Sequence, residues 1–442
     1  ISAAEPLKMA CVAGLTVIVT DHHEVPFTLQ ADGTRIHHLP PAEAVIDPKR
    51  PPVPGCDPYP FPEICGAFTA LKLCEALHVK SENRPAEWER LHQDFLAFAA
   101  LASICDVMPL KDENRILVRY GLLQAQKTDN VGLKALISVC GLSGKPLTAY
   151  HAGFILGPCL NASGRLSGAD RALELFFETD ENKAVHLAGE LQELNESRKE
   201  MTQRGVDNAC RAAQVQGDAM DRILVILLEN CHESLAGIVA GKVRERFHRP
   251  ALILTRVADG LLKGSGRSTE RYNLYDNLTQ CSDLLVKFGG HAMAAGVTLK
   301  EGDLPAFRER LNSLCTLDAS ELEEDLHIDM ELPLCYADAP LTRSFSMLEP
   351  FGTGNPKPLF VTRDITLTSF RILGKSRNVV KFNARTPEGD YAEVIRFGPP
   401  EEIPDLTAGA PVRNHLVYSP DINSYMGRES MQYIMRDYRV IK

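Results

Sequence analysis

Apolar and polar positions follow one another in blocks whose periods predict an α/β first half and a β-rich end. Residues 15–20 (LTVIVT) are a short β-branched run that reads as a buried parallel strand. Residues 68–77, 88–103 and 114–126 read as helices, and 51–62 as a Pro-rich loop. Residues 184–215 are long, polar and helix-favouring, which predicts one extended helix joining two lobes. A strand over 222–228, a helix over 235–247 and a strand over 251–255 open a second α/β unit. From 360 to 442 the pattern changes to short alternating strands, such as 379–383 and 433–436, with Gly and Asn between them. That predicts a small β-barrel. No internal repeat or low-complexity tract stands out. The expected fold class is therefore α/β plus a barrel. An α/β domain spans 1–183, a connecting helix 184–216 and a second α/β domain 217–316. An acidic linker and the barrel occupy 317–442.

Composition sharpens this picture. The 442 residues are 44% hydrophobic and 24% charged, with a net charge of −10. At roughly 150 residues per domain the chain holds about three domains. The longest apolar runs, such as 223–228, fall far short of the ~18 residues that span a bilayer. Twelve cysteines, none placed as C-x-x-C, argue against a disulfide scaffold and a structural zinc. Reduced thiols in a cytoplasmic protein are expected instead. The chain opens on Ile1 with no basic stretch leading an apolar core, so it is expected to be processed or a fragment. Charge is uneven. Residues 242–271 hold eight Lys/Arg against three Asp/Glu, while 318–331 hold seven acids and no Lys or Arg. Net acidity thus does not exclude nucleic acid, because a groove needs only local positive potential.

Five stretches carry candidate chemistry. Asp21-His22-His23 follows directly on the first strand, and open parallel sheets bind ligands at the carboxyl ends of their strands. A carboxylate and two imidazoles suit manganese, with magnesium or zinc less favoured; a polar turn is the alternative reading. Asp106 lies in an apolar run, SICDVMPL, where an acid is costly unless paired or metal-bound. An ordinary helix-ending Asp before Pro109 is the alternative there. Two small-residue loops, 161–166 (NASGRL) and 264–268 (GSGRS), could let backbone and guanidinium approach a phosphate. Surface turns are the alternative for both. In 288–292 (FGGHA) two glycines before His291 allow close approach to a ligand, against a commonplace Gly-Gly turn. Residues 141–145 (GLSGK) are too short for a Walker A loop, no G-x-S-x-G elbow is present, and His37-His38 lack an adjacent acid.

In this order the motifs resemble the DHH phosphoesterases, which Asp21-His22-His23 would name. The segment 103–110 resembles that family's later metal-binding Asp motif, and 288–291 resembles the GGH motif of the associated DHHA1 domain. Residues 161–166, 264–268 and 348–358 (LEPFGTGNPKP) are similar to the RecJ family, single-strand-specific 5′ to 3′ DNA exonucleases of DNA repair and recombination. Residues 423–432 (NSYMGRESMQ) are similar to the end of its OB-type domain. The resemblance spans nearly the whole chain and implies two-metal phosphodiester hydrolysis with Mn²⁺ or Mg²⁺. It assigns Asp21, His22, His23 and Asp106 to the metal centre, with His22 and Asp106 as direct ligands. His23 would support the metal or contact the phosphate. Arg165, Ser265, Arg267 and Ser268 would hold phosphates, including the 5′ end. His291 would act near the scissile phosphate, facing the metals across an interdomain groove that admits one strand. In the barrel, Arg371, Lys375, Arg377, Lys381, Tyr425 and Arg428 would track the strand, solvated surface groups being the alternative. Single-stranded DNA is the implied substrate, with a single-strand-binding protein and a helicase as partners. No membrane contact is expected, and the protein is expected to be a monomer.

The resemblance also implies an Asp-x-Asp motif and a further Asp ahead of the DHH strand. Only twenty residues precede Asp21, and their sole acid is Glu5. The chain is therefore expected to start just past those acids, with an incomplete metal site, weak metal binding and little or no activity. A sheet edge would be exposed as well. Two other functions compete: a phosphodiesterase of short oligonucleotides or cyclic dinucleotides, and a catalytically silent DHH scaffold that binds DNA.

Overall fold

The structure is a computed structural model. It describes residues 1–442 except 31, 53–54, 56, 83–84, 167–169, 215–220, 319–320, 322–324, 375–376, 387–388, 426 and 442, and except the side chains of 165, 166, 424 and 425. The chain forms two compact units. One holds residues 1–129, 144–153 and 326–442; the other holds 130–143 and 154–325. Residues 130–143 and 154–183, placed with the first domain on sequence grounds, thus group with the long helix.

The first unit begins with strand Ile18–Thr20, paired in parallel with Ala44–Ile46 so that Ile18 faces Ala44 and Thr20 faces Ile46. The parallel pairing agrees with the β-branched pattern, but the expected burial does not hold. Ile18 is 59% exposed. Its sheet has two strands, and so small a sheet cannot cover both of its faces. Helices Gly66–Lys80, Trp88–Cys105 and Asp112–Ala125 follow. The last two approach closely because Gly121 lacks a side chain. A Cβ there would lie 2.4 Å from the Ala100 Cβ and 2.5 Å from the Leu96 carbonyl oxygen.

The C-terminal part of this unit is a ring of five strands. Phe360–Leu373, Val379–Arg385 and Tyr391–Phe397 form an antiparallel meander. Arg428–Val440 joins the third strand in parallel and pairs antiparallel with Val412–Tyr425, which closes back on the first strand. This 1-2-3-5-4-1 order is that of an OB-type barrel. Leu367, Val380, Phe382, Val394 and Tyr418 fill it, and Leu406 of the short helix Pro404–Thr407 is buried with them.

The second unit is built on a sheet ordered Leu224–Leu227, Ala251–Arg256, Leu261–Arg267, Ala294–Lys300, Lys287–His291. The first pair is parallel and the rest antiparallel. Helix Glu233–Phe247 and the 34-residue helix Glu181–Gln214 share one apolar core with one face of the sheet. Leu274, Leu278, Phe307 and Leu311 cover the other face. Among the described residues, no helix is long and apolar enough to cross a membrane.

Two expected loops are regular structure, and so is the Gly-Gly stretch before His291. Residues 161–166 lie in helix Gly157–Leu166, where Ala162 and Ser163 are fully buried. Residues 264–267 lie in the central strand Leu261–Arg267, and 288–291 in the edge strand Lys287–His291. The central strand needs its glycines. A Cβ on Gly264 would lie 2.2 Å from the Ile253 carbonyl oxygen, and one on Gly266 2.7 Å from Leu274 Cδ2.

Candidate metal centre

Asp21 leaves the carboxyl end of its strand, its N–H still donating to the Ile46 carbonyl at 3.0 Å. Its Oδ1 accepts from the His22 N–H at 2.7 Å and the His23 N–H at 3.2 Å, and lies 2.7 Å from His23 Nδ1. Its Oδ2 pairs with the Ile1 amino group. Burial pushes the Asp21 pKa up. The hydrogen bonds from Ile1, the His23 ring and the two backbone N–H groups outweigh it and hold the carboxyl well below the usual range. Ligand atoms of Asp21, His22 and His23 all lie within 4.8 Å of one another.

Asp106 arrives from elsewhere in the fold. It caps the C-terminus of helix Trp88–Cys105, and its Oδ2 lies 3.5 Å from His22 Nε2. The two strongest ligand candidates are thus brought together although 84 positions separate them. Asp106 is half-exposed rather than buried, because the helix ends at the surface there. The His22 ring is largely buried and tilts against the exposed His23 ring, with centroids 4.4 Å apart.

Two residues here escaped the sequence reading. Gly66, first in its helix, makes room for the His22 ring; a Cβ would sit 3.3 Å from His22 Cδ2. Asp47 follows Ile46 at the same sheet end as Asp21 and is 5% exposed. Its Oδ1 accepts from the Lys49 N–H at 2.8 Å, while its buried Oδ2 has no hydrogen-bond partner among the described residues. Burial raises its pKa, and the Asp21 charge adds to the rise. A buried carboxylate oxygen without a donor, beside an Asp-His-His cluster, fits a divalent cation.

The second unit carries the other candidates. Ser265 and Arg267 alternate onto one face of the central strand, toward helix Glu233–Phe247. Arg267 Nη1 donates to Ser265 Oγ and to the Gly266 carbonyl, both at 2.9 Å. Ser268 is buried; its hydroxyl donates to the Tyr272 carbonyl and its N–H to that of Met293, so it serves the fold. His291 ends the edge strand and is exposed. Gly290 before it has φ +145° and abuts the Ala294 carbonyl, which requires glycine. Arg165 belongs to helix Gly157–Leu166, its side chain outside the described residues.

On the ring, Arg371 faces Lys381 across the first two strands, and Lys381 also reaches Glu393. Arg377 lies in the loop joining those strands, and Arg428 follows the turn joining the last two. Both are exposed. These are the loops with which OB folds grip oligonucleotides. Lys375 and the Tyr425 side chain lie outside the described residues.

Comparison with known proteins agrees with this anatomy. The model of the RecJ OB domain matches residues 328–437, and that of the DHHA1 domain matches 221–317. The single-stranded-DNA-specific exonuclease RecJ of Bacillus subtilis is 34% identical over all of this chain, which covers 53% of that protein. RecJ of Salmonella typhimurium is 32% identical over 99% of the chain and is covered to 75%. The crystal structure of Thermus thermophilus RecJ in complex with Mn²⁺ superposes with a TM-score of 0.78 at 26% identity, covering 100% of this chain and 61% of that one. The chain therefore spans between half and three quarters of the length of these relatives. On the identity and coverage of the Salmonella protein together with the two domain matches, the chain belongs to the RecJ family.

Proposed function

We propose that the chain carries the hydrolytic and strand-binding parts of a metal-dependent exonuclease that degrades single-stranded DNA from its 5′ end. The carrying observation is the meeting of Asp21, His22 and His23 with Asp106 at one sheet end, in a chain that also holds an OB-type ring. Bound Mn²⁺ or Mg²⁺ would polarise the scissile phosphate and lower the pKa of the attacking water. His22 Nε2, Asp106 Oδ2 and the Asp21 carboxylate would hold it. Asp21 also orients the His23 ring through Nδ1, leaving the exposed ring edge to meet a phosphate oxygen. Arg267, ordered by Ser265 and Gly266, offers a fixed guanidinium to a phosphate, and Ser265 a hydroxyl. Arg165 would add a second cation. His291 would donate a hydrogen bond near the cleaved bond. Ser268 would shape this strand end rather than touch DNA. Arg371, Arg377, Lys381 and Arg428 would follow the incoming backbone.

Such an enzyme serves DNA repair and recombination as a cytoplasmic monomer, taking strands opened by a helicase and coated by a single-strand-binding protein. A dinucleotide phosphodiesterase would leave the ring without a task, and a silent scaffold would leave the metal cluster without one. Among the described residues one Asp-His-His cluster forms, joined by Asp106. Two metals call for more carboxylates, so these 442 residues alone would bind metal weakly and turn over slowly. The test is Mn²⁺-dependent release of nucleotides from a 5′-phosphorylated single strand, against a blunt duplex and a dinucleotide. Slow loss of the single strand alone, abolished by His22→Ala, supports the reading. Preference for the dinucleotide, or an unchanged rate in His22→Ala, refutes it.

A further inference from the structure

We propose that Asp47 is a further carboxylate of the divalent-cation site, supplying Oδ2 as a ligand beside Asp21 and His22. The inference rests on the metal-centre reading and extends it to a residue outside the motifs that suggested it. Parallel register is the first argument. Thr20 faces Ile46, so the next residues, Asp21 and Asp47, leave the sheet side by side at its carboxyl end. The Asp21 N–H to Ile46 carbonyl bond continues the ladder past the last pair.

Burial is the second argument. Asp47 is 5% exposed, yet only Oδ1 has a donor, the Lys49 N–H. Oδ2 is buried and without a partner among the described residues. The basic residues that follow it are engaged elsewhere. Lys49 Nζ is 3.1 Å from Glu24, and Arg50 Nη1 donates to the Val45 carbonyl at 2.8 Å. Buried charges are ordinarily paired or coordinate a metal, and among the described residues no side-chain cation forms an ion pair with this one. The ionisable groups sensed by Asp47 are Asp21, His22 and Lys49. Of these, Asp21 is a second acid, His22 an imidazole, and Lys49 a cation whose Nζ is turned to Glu24, so the set offers Asp21 and His22 as donors beside Asp47 for a divalent ion.

Asp47→Asn separates this role from a structural one. The amide keeps the Oδ1 acceptor for Lys49 and the side-chain shape, and replaces the free oxygen by an NH₂ that cannot ligate. Mn²⁺ alone is the probe. Free ion is counted by electron paramagnetic resonance over the 442-residue chain, and the thermal midpoint is read in chelator. Asp47→Asn should weaken Mn²⁺ binding by at least roughly 10-fold, since loss of even an outer-shell partner of a metal ligand costs about that much, without lowering the metal-free midpoint. Asp47→Glu, which keeps a carboxylate, should recover part of the affinity. Mn²⁺ binding that is lost in His22→Ala but unchanged in Asp47→Asn overturns this inference alone, leaving a bound water to satisfy Oδ2. No Mn²⁺ binding by the parent chain overturns the metal-centre reading with it.

Discussion

Gly237→Ala puts the proposed phosphate role of Arg267 to a test that spares the fold. Gly237 is the fifth residue of helix Glu233–Phe247. A Cβ there would lie 2.8 Å from Arg267 Nη2 and 3.1 Å from Ser265 Oγ, with no backbone atom among its nearest neighbours. The guanidinium is the end of a flexible side chain, so it gives way. Restoring a contact of about 3.5 Å requires a shift of roughly 0.7 Å. Arg267 Nη1 sits 2.9 Å from Ser265 Oγ and from the Gly266 carbonyl, so such a shift strains or breaks at least one of those bonds and re-aims the fork. The helix itself gains, since Ala is favoured over Gly by about 0.5–1 kcal/mol in a helix interior. Stability should therefore hold or rise while phosphate binding falls. One hydrogen bond to a charged group is worth about 1.5–3 kcal/mol, which is roughly 10- to 100-fold in affinity. The assay is the affinity for a 5′-phosphorylated single strand in chelator, at several salt concentrations. Losing one phosphate contact should lower the salt slope by about 0.7. Unchanged affinity and slope in a chain that melts no lower would refute the assignment of Arg267.

Other variants probe the remaining parts. Asp106→Asn should remove most Mn²⁺ binding, by loss of the anionic partner of His22, while circular dichroism stays unchanged. Gly132→Ala places a Cβ 1.8 Å from the Leu175 carbonyl oxygen, so helices Val131–Val139 and Asp170–Phe177 must part. Overpacking of that kind costs about 1–3 kcal/mol and should lower the thermal midpoint by several degrees. In chelator, Asp47→Asn should become increasingly more stable than the parent as pH rises. The folded pKa of Asp47 is raised, so whatever stability it contributes is complete below the unfolded carboxylate pKa and is lost as pH rises through the folded one. An advantage that shrinks between acid and neutral pH would contradict this sign. Arg371→Ala with Arg377→Ala should weaken single-strand binding alike for all sequences and reduce its salt dependence; a sequence-selective loss would show base readout instead.

Long periodic elements were legible in the chain. The helix expected over 184–215 is Glu181–Gln214, and the helix expected over 235–247 is Glu233–Phe247; in the first, a long run of helix-favouring residues with few breakers leaves one solution. The Asp21-His22-His23 cluster was legible because it is contiguous and follows a strand directly. Residues 264–267 were misread for a physical reason. Gly-Ser-Gly-Arg lacks the β-branched signature of a strand, yet close neighbours on both sides need the missing side chains. Asn161 to Leu166 also has loop composition, and burial of Ala162 and Ser163 imposes a helix. Asp47 was invisible for a different reason. Its relation to Asp21 lies in the register of two strands, and the sequence carries no mark of that pairing.

The position of Asp106 ties the C-terminal part of the first unit to the candidate metal centre. Val107, directly after it, has φ +58°, a left-handed backbone that costs a β-branched residue about 1–2 kcal/mol. Such strain persists only where the surroundings over-determine it. Asn114 Nδ2 holds the Pro109 and Glu63 carbonyls at 3.0 and 2.7 Å from within the helical region. The remaining restraint comes from the turn ahead of the ring. Leu110 N–H donates to the Thr353 carbonyl at 2.7 Å, and Arg115 donates to the carbonyls of Met347 and Leu348. Gly352 lies so close that a Cβ would reach within 2.7 Å of Leu110 Cδ1. Pro109 and Leu110 are thus held from two sides, and the second side is supplied by residues 347–353. Asp106 is then placed by a turn more than 200 positions away in the chain, while His22 is placed by a strand end and Gly66. Moving that turn by a fraction of an ångström would alter the 3.5 Å approach of Asp106 to His22 before it touched any ligand atom.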